Sequence, residues 1–198
     1  MKTVSALFET VSEAQRSIAG LTKAGFLPAD INLVANAGDA DYAGHFNEAG
    51  KMHDVTEHVT EAGTAIGGLG GLVVGLSFFF IPGVGPVLAA GGLLASLISG
   101  AGIGSLAGGV LGTIAGLGVP QDDAHTYAEG IRRGGSLVVV QTTEERADAA
   151  QAILSQNHPI DVSTRANRWR ESGWQNYDES APPLTREQIE AERGLYVR

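Results

Sequence analysis

The first 35 residues of the chain follow the order strand, helix, strand. Apolar side chains recur at every second position over residues 4–8, which predicts a strand with one buried face. Residues 10–13, Thr-Val-Ser-Glu, form a capping-box pattern that predicts the start of a helix. Apolar residues continue at helical spacing over residues 14–21, and alternation returns over residues 31–35. This region therefore predicts one β-α-β unit.

The same order returns near the other end of the chain. Residues 137–140 form an apolar run, residues 142–145 offer a second capping box, and residues 149–154 carry a helical stripe. Residues 160–162 alternate again and predict a last short strand. Two such units in one small chain predict a four-stranded antiparallel sheet with both helices on one face. An extra helix is predicted from Asp122 to Arg133, since acids begin it and arginines end it.

Charge is absent from the middle of the chain. Residues 62–121 carry no Asp, Glu, Lys or Arg, and this run holds 18 of the 28 glycines. The predicted fold class is α+β: a split ferredoxin-like βαβ-βαβ sandwich interrupted by a glycine-zipper helical hairpin, with a polar tail after it. We predict the sandwich from residues 1–50 and 121–164, the hairpin insert at 51–120 and a C-terminal docking tail at 165–198.

Glycine recurs at every fourth position in two parts of this insert, and residues four apart share one helical face. Glycine weakens a helix by about 0.5–1 kcal/mol relative to alanine, so the pattern predicts helices whose backbones touch closely enough to offset that loss. Residues 82–86, Pro-Gly-Val-Gly-Pro, predict the turn between the two helices. The predicted helix-packing positions are Gly63, Gly67, Gly71, Gly75, Gly100, Gly104, Gly108, Gly112 and Gly116.

Two placements of the hairpin stay open. A membrane-crossing helix needs about 20 apolar residues, and both halves of the sandwich must stay on one side, so two crossings or a re-entrant hairpin would fit the length. The expectation is a lipid bilayer partner, with the α/β domain in the cytoplasm. The alternative is a soluble cytoplasmic protein whose hairpins pack between subunits, because Gly and Ala make up 26 of these 60 residues.

Composition excludes several function classes. The formal net charge is −9 and the pI is near 4.9, so no basic surface is available for nucleic acid. The chain has no cysteine, which excludes disulfides, thiolate nucleophiles and cysteine zinc sites. Glu9 interrupts the N-terminus before a signal-peptide core can form, so cleaved secretion is not expected.

Three stretches of the chain resemble one bacterial family. They are residues 81–91, residues 118–124 and residues 127–135, which read IPGVGPVLAAG, GVPQDDA and YAEGIRRGG. They are similar to proteins of the general stress protein 17M-like type, and the likeness extends over roughly residues 1–164. The resemblance implies a stress-associated bacterial protein that is often labelled a membrane protein from its hydropathy. It implies no catalytic residues, and it does not include the tail.

Two groups of polar residues are candidate sites with structural alternatives. Arg132 and Arg133 precede a Gly-Gly turn and could hold a phosphate, although arginines also stabilise an ordinary helix C-terminus. A second group could hold a divalent metal, but its two histidines are five residues apart and do not share a helical face. We favour the structural interpretation in both cases and predict no metal and no cofactor. The second group is His53, Asp54, Glu57, His58 and Glu61.

The tail is rich in aromatic residues, unlike a disordered segment. It is predicted to dock on a surface and to contain a short capped helix over residues 185–193. That surface could be the chain's own domain, a neighbouring subunit or another protein, and a homo-oligomer is the first expectation because Trp and Tyr are common at interfaces. The docking residues are Trp169, Trp174, Tyr177 and Tyr196.

No motif in the sequence predicts catalysis. A Walker loop, a dinucleotide fingerprint after a strand and a nucleophile elbow are all missing. The expected function is a non-enzymatic, membrane-associated general stress protein that self-assembles through its glycine zipper. One alternative is a soluble homo-oligomeric assembly module, and another is a sensor that binds a small anion near Arg132 and Arg133.

Overall fold

The computed structural model describes residues 1–36, 77–81, 84–91 and 109–196. These residues form an α+β fold in which five strands build one sheet and the helices cover it. The strands are β1 (Lys2–Phe8), β2 (Ile31–Asn36), β3 (Ser77–Ile81), β4 (Gly85–Gly91) and β5 (Ser136–Thr142). The helices are α1 (Val11–Lys23), α2 (Gly109–Gly116), α3 (Gln121–Arg132), α4 (Glu144–Ser155), α5 (Val162–Glu171) and α6 (Arg186–Gly194), with a 3-10 turn at Pro28–Asp30.

The sheet is antiparallel throughout, and its strands lie in the order β1-β5-β2-β4-β3. Strand β5 comes late in the chain yet lies between the two strands of the N-terminal β-α-β unit. Val4 of β1 is opposite Val140, and Leu33 of β2 is opposite Val138. The N-terminal unit is therefore completed by a strand from the second half of the protein.

Both faces of the sheet are buried at strands β2 and β5, so the fold has three layers there, where the sequence predicted two. Helices α1 and α4 cover one face in a core that includes Val138 and Val140. Helices α2 and α3 cover the opposite face in a second core that includes Leu137 and Val139. A strand that is covered on both sides needs a continuous apolar run, and this explains the sequence Leu-Val-Val-Val in β5.

Capping signals place the first helix as predicted. The Glu13 amide donates to the Thr10 hydroxyl at 3.2 Å, and the Thr10 amide donates to the Glu13 carboxylate at 3.2 Å, which completes the capping box. Helix α1 ends before Gly25, whose φ of +81° favours glycine. The local sequence therefore determines both ends of α1.

The insert differs from the predicted helical hairpin. Residues 77–81 and 85–91 are the strands β3 and β4, and the predicted turn joins two strands and not two helices. Apolar runs this short do not distinguish helix from strand by periodicity, whereas aromatic residues favour strands and the edge of β2 offers a pairing partner. Residues 109–116 are helical. Residues 37–76 and 92–108 lie outside the described part of the chain.

The predicted last strand at residues 160–162 is also wrong. Helix α5 begins at Val162, and Asp161 is its N-cap: the Asp161 carboxylate accepts from the Thr164 amide at 3.0 Å and from the Thr164 hydroxyl at 2.7 Å. The bond from the Thr164 amide lowers the pKa of Asp161. In this stretch the Ile160 amide still donates to the Leu7 carbonyl at 2.7 Å, which is one contact beside β1.

Helices in the described ranges are all too short or too polar to cross a lipid bilayer.

The first core predicts a specific loss of stability. Leu154 on α4 is 0% exposed, so Leu154→Ala should lower the free energy of unfolding by about 2–5 kcal/mol through lost burial and a residual cavity. The measurement is urea denaturation followed by circular dichroism. Leu27→Ala is the matched control, because Leu27 is 63% exposed and its loss should change stability by less than about 0.5 kcal/mol. Equal losses in both variants would contradict the assigned core.

Candidate functional site

The C-terminal end of α3 contains a buried carboxylate that is shared by two arginines. Glu129 is only 1% exposed. Its Oε1 accepts from Arg132 Nη1 at 3.2 Å and from Arg133 Nε at 2.6 Å. A carboxylate can stay ionised in such a position only when it is paired and hydrogen-bonded. The two guanidinium groups therefore stabilise Glu129 from the last residue of α3 and from its C-cap.

Arg133 connects this group to the tail. Its Nη1 lies 3.0 Å from Glu192 Oε1 on α6, and its guanidinium carbon lies 4.9 Å from the centre of the Trp169 ring. The indole Nε1 of Trp169 donates to the same Glu192 oxygen at 2.9 Å, and Trp169 is buried. One arginine thus joins α3, α5 and α6 through an ion pair and a cation–π contact.

Main-chain carbonyls fix the tail at two further points. Arg132 Nη2 donates to the Pro182 carbonyl at 3.0 Å, and Arg193 Nη2 donates to the Gly134 carbonyl at 2.8 Å. Gly134 has φ of +93°, and a Cβ there would collide with Cγ2 of the buried Ile189. Glycine at this position therefore ends α3 and leaves room for α6 to pack against the turn.

The four tail aromatics predicted to dock contact either the chain's own body or other residues of the tail. Trp169 is buried, and Trp174 meets it edge-on with ring centres 5.7 Å apart. Tyr177 belongs to the second core, beneath α2 and α3. Arg165 lies 3.3 Å from the centre of the Tyr196 ring and pairs with Glu9, just after β1. Trp169 and Tyr177 thus contact the chain's own body, and docking on a neighbouring subunit stays a prediction.

The predicted tail helix is confirmed as α6. Thr185 is its N-cap, the Gln188 amide donates to the Thr185 hydroxyl at 3.3 Å, and the Thr185 amide donates to Gln188 Oε1 at 2.8 Å. This capping box orients α6 so that Ile189 and Glu192 face the body.

A cleft of about 690 Å³ lies between the end of α3 and residues 172–181. Arg132 and Arg133 line it together with three carboxylates, from Glu129, Asp178 and Glu179. The Ser180 hydroxyl and amide donate to Asp178 and lower the pKa of that carboxyl, so it stays ionised. Acids therefore outnumber bases on the wall, and the contacts of the two arginines fit the helix-end interpretation better than an anion site.

Tyr177 separates this cleft from the second core. Burial raises the pKa of Tyr177 to about 12, and the nearby Glu179 carboxylate acts in the same direction. The phenol is consequently neutral at physiological pH. It supplies an apolar ring to the core, and its edge lines the cleft.

Two of the nine ladder glycines fall within the described residues. Gly112 and Gly116 lie on α2 and are exposed, whereas the buried side of α2 consists of Val110, Thr113 and Ile114. Their packing role stays a prediction. The positions outside the described ranges are Gly63, Gly67, Gly71, Gly75, Gly100, Gly104 and Gly108.

The weak metal candidates at residues 53–61 also lie outside the described ranges. Across the residues that the structure describes, no group of three or more His, Asp or Glu side chains could hold a metal ion.

Sequence reasoning missed Glu129, although a local signal was present. Glu129 precedes Arg132 by three residues and Arg133 by four, and these spacings place opposite charges side by side on a helix. The partner Glu192 has no such signal, because only the folded tail brings it to Arg133.

Comparison with known proteins found no matching family model, no matching curated protein and no matching solved structure.

Removing the charge of Glu129 should loosen the tail. We expect Glu129→Gln to lower the free energy of unfolding by about 3 kcal/mol, because two partly buried guanidinium groups lose their carboxylate. Guanidinium denaturation followed by tryptophan fluorescence reports the change at Trp169 and Trp174. Glu190→Gln, at an exposed position on α6, is the control and should stay within about 0.5 kcal/mol of the parent. A Glu129 variant as stable as this control would refute the shared ion pair.

Alkaline pH should weaken the same region. The pKa of Tyr177 is raised from 10 to about 12, so the folded state keeps a proton that the unfolded state releases. The stabilisation is complete below pH 10 and is lost as pH rises toward 12. Tyr177→Phe should therefore lose less stability than the parent between pH 10 and 12, measured by thermal melting at each pH. Identical pH profiles would argue against a buried phenol.

Proposed function

We propose that the protein is a non-enzymatic, stress-associated protein of the general stress protein 17M-like type that self-assembles through the charge-free run at residues 62–121. The observation that carries this proposal is the position of β3 and β4. Both strands come from the charge-free run at residues 62–121, and both extend the sheet beyond β2. Strands β3 and β4 are thus an uncharged part of the sheet on a highly charged body.

The body itself fits a split ferredoxin-like domain. In that arrangement the first strand of the second β-α-β unit lies between the two strands of the first unit, and the helices of both units share one face. The order β1-β5-β2 and the shared core of α1 and α4 support this proposal. The fourth strand would occupy the outer edge of β1, where the Ile160 amide makes its bond to Leu7.

Charge favours the insert as the contact between copies. Each chain carries a formal charge of −9, and none of its charged residues lies in the run from 62 to 121. Two such bodies repel each other wherever their acidic surfaces approach, over a range of about 8–10 Å at ordinary salt. The uncharged edge is the surface at which two copies can approach with the least repulsion.

The topology also attaches the two glycine-patterned parts of the insert at the same end of the sheet. Ser77 is opposite Ala89 in the β3–β4 pair, so the chain enters β3 and leaves β4 at the same end of the sheet. Residues 62–76 precede β3 and residues 92–108 follow β4, and neither part is charged. Because both parts start at the same end of the sheet, this arrangement supports packing of residues 62–76 against residues 92–108, within one chain or between two copies.

Membrane association is the second candidate function, and it is based on the uncharged residues 62–76 and 92–108. Residues 92–108 connect β4 to α2, so both ends of this part are attached to the body. A chain that crosses a bilayer and returns needs about 40 residues, since each crossing takes about 20. We therefore propose a peripheral association in which the α+β body remains in the cytoplasm.

Light scattering after size-exclusion chromatography tests self-assembly. The parent should elute without detergent as a particle of at least twice the 20.4 kDa chain mass, and the double variant Gly67→Glu with Gly104→Glu should elute as a smaller particle than the parent. New carboxylates in the insert would repel between copies. Gly194→Glu, at an open position on α6, adds charge elsewhere and should keep the particle. A parent that is monomeric at all concentrations would contradict the proposal.

Fractionation of cells tests the second candidate. A peripheral protein should sediment with membranes and be released by an alkaline carbonate wash. Retention in the washed pellet would contradict a peripheral mode, and absence from the membrane fraction before the wash would contradict membrane association.

A further inference from the structure

Strand β3 forms one edge of the sheet. The strand order ends with β3, and among the described residues no strand pairs with its outer side. An edge strand presents unpaired amides and carbonyls to which another strand can add. The chemistry of this edge depends on which main-chain groups point outward.

Pro86 determines that register. Pro86 is opposite Phe80 and has no amide, so these two residues cannot exchange a pair of hydrogen bonds. Antiparallel strands alternate bonded and non-bonded pairs, which makes Phe79 and Val87 a bonded pair. The amides and carbonyls of Phe78 and Phe80 must then be directed away from β4, toward the outer side of β3, where none of the described strands pairs.

We propose that a second copy of the chain pairs with this edge, β3 against β3, in antiparallel orientation about a two-fold axis at Phe79. This inference rests on the proposed self-assembly and names its contact. The axis places Phe78 of one copy opposite Phe80 of the other, and both residues have outward-directed groups. Each such pair can exchange two N–H···O bonds, so the edge is complementary to itself.

The two edges of the sheet differ in their protection. At β1, the Ile160 amide bonds Leu7, and Lys2 forms an ion pair with Glu144 at 2.9 Å. Natural edge strands often carry such charges, which prevent pairing between molecules. The β3–β4 hairpin carries none, since residues 77–91 contain no Asp, Glu, Lys or Arg. The chain has a net charge of −9, so an uncharged edge pairs with least repulsion with another uncharged strand. Strand β3 of a second copy is such a strand.

The test removes one outward amide. Proline is tolerated in an edge strand where the amide it replaces makes no bond in the sheet. Phe78→Pro should therefore preserve the far-ultraviolet circular dichroism and melting of the body. It should weaken dimerisation, measured by sedimentation equilibrium, by about 10- to 100-fold, because one hydrogen bond is lost from each of the two symmetric pairs.

Two companion variants make the result specific to the main chain. Phe78→Val keeps the amide and the strand preference, and it should dimerise within a few-fold of the parent. Phe79→Pro removes an amide directed at β4 and should lower the melting temperature. If Phe78→Pro unfolds the body, Phe80→Pro repeats the test at the second outward amide, and unfolding of both would overturn the deduced register.

The outcomes separate this inference from the proposed function. If the parent protein and the Phe78→Pro variant assemble equally well, pairing through β3 is overturned, whereas the proposed self-assembly stands. If Phe78→Val dimerises as weakly as Phe78→Pro, the dimer depends on the aromatic ring of Phe78, and main-chain pairing is overturned. A parent that never assembles would remove the proposed function itself.

Discussion

The structure depends on covering β5 from both sides. Leu137 and Val139 point into one core and Val138 and Val140 into the other, and all four side chains are fully buried. A two-layer sandwich would leave one of these faces in water. Helices α2 and α3 supply the third layer, and this position brings the end of α3 to the region where the tail docks. The ion pairs of Glu129 and the burial of Tyr177 thus follow from the need to shield the central strand.

Local signals predicted the elements that local interactions determine. The capping boxes at residues 10–13 and 185–188 mark real helix starts, because each hydroxyl and its partner lie within one turn. The strands β3 and β4 were not predicted, because they lack a periodic pattern of their own. They are stabilised by pairing with the edge of β2. The helix start at Asp161 had a local signal, but the alternation of Ile160 and Val162 suggested a strand.

The candidate site shows the same division. Pairing of Arg132 and Arg133 with Glu129 could have been predicted from helical spacing. The aromatic content of the tail did predict docking, because such residues seldom remain in water. The surface could not be predicted: interfaces between subunits and contacts within one chain share the same composition. Only the fold shows that Trp169 covers Arg133 of its own chain.

The pairing of β1 with β5 has a consequence for the time at which the protein can fold. Val4 meets Val140, so the first strand leaves the ribosome long before its neighbour exists. At ~5–20 residues per second, this interval lasts roughly ten seconds. Helix α1 can form early through its own cap, but the apolar strand beside it must wait. The sheet can take its native topology only after β5 has been synthesised, so the apolar first strand stays unpaired throughout this interval.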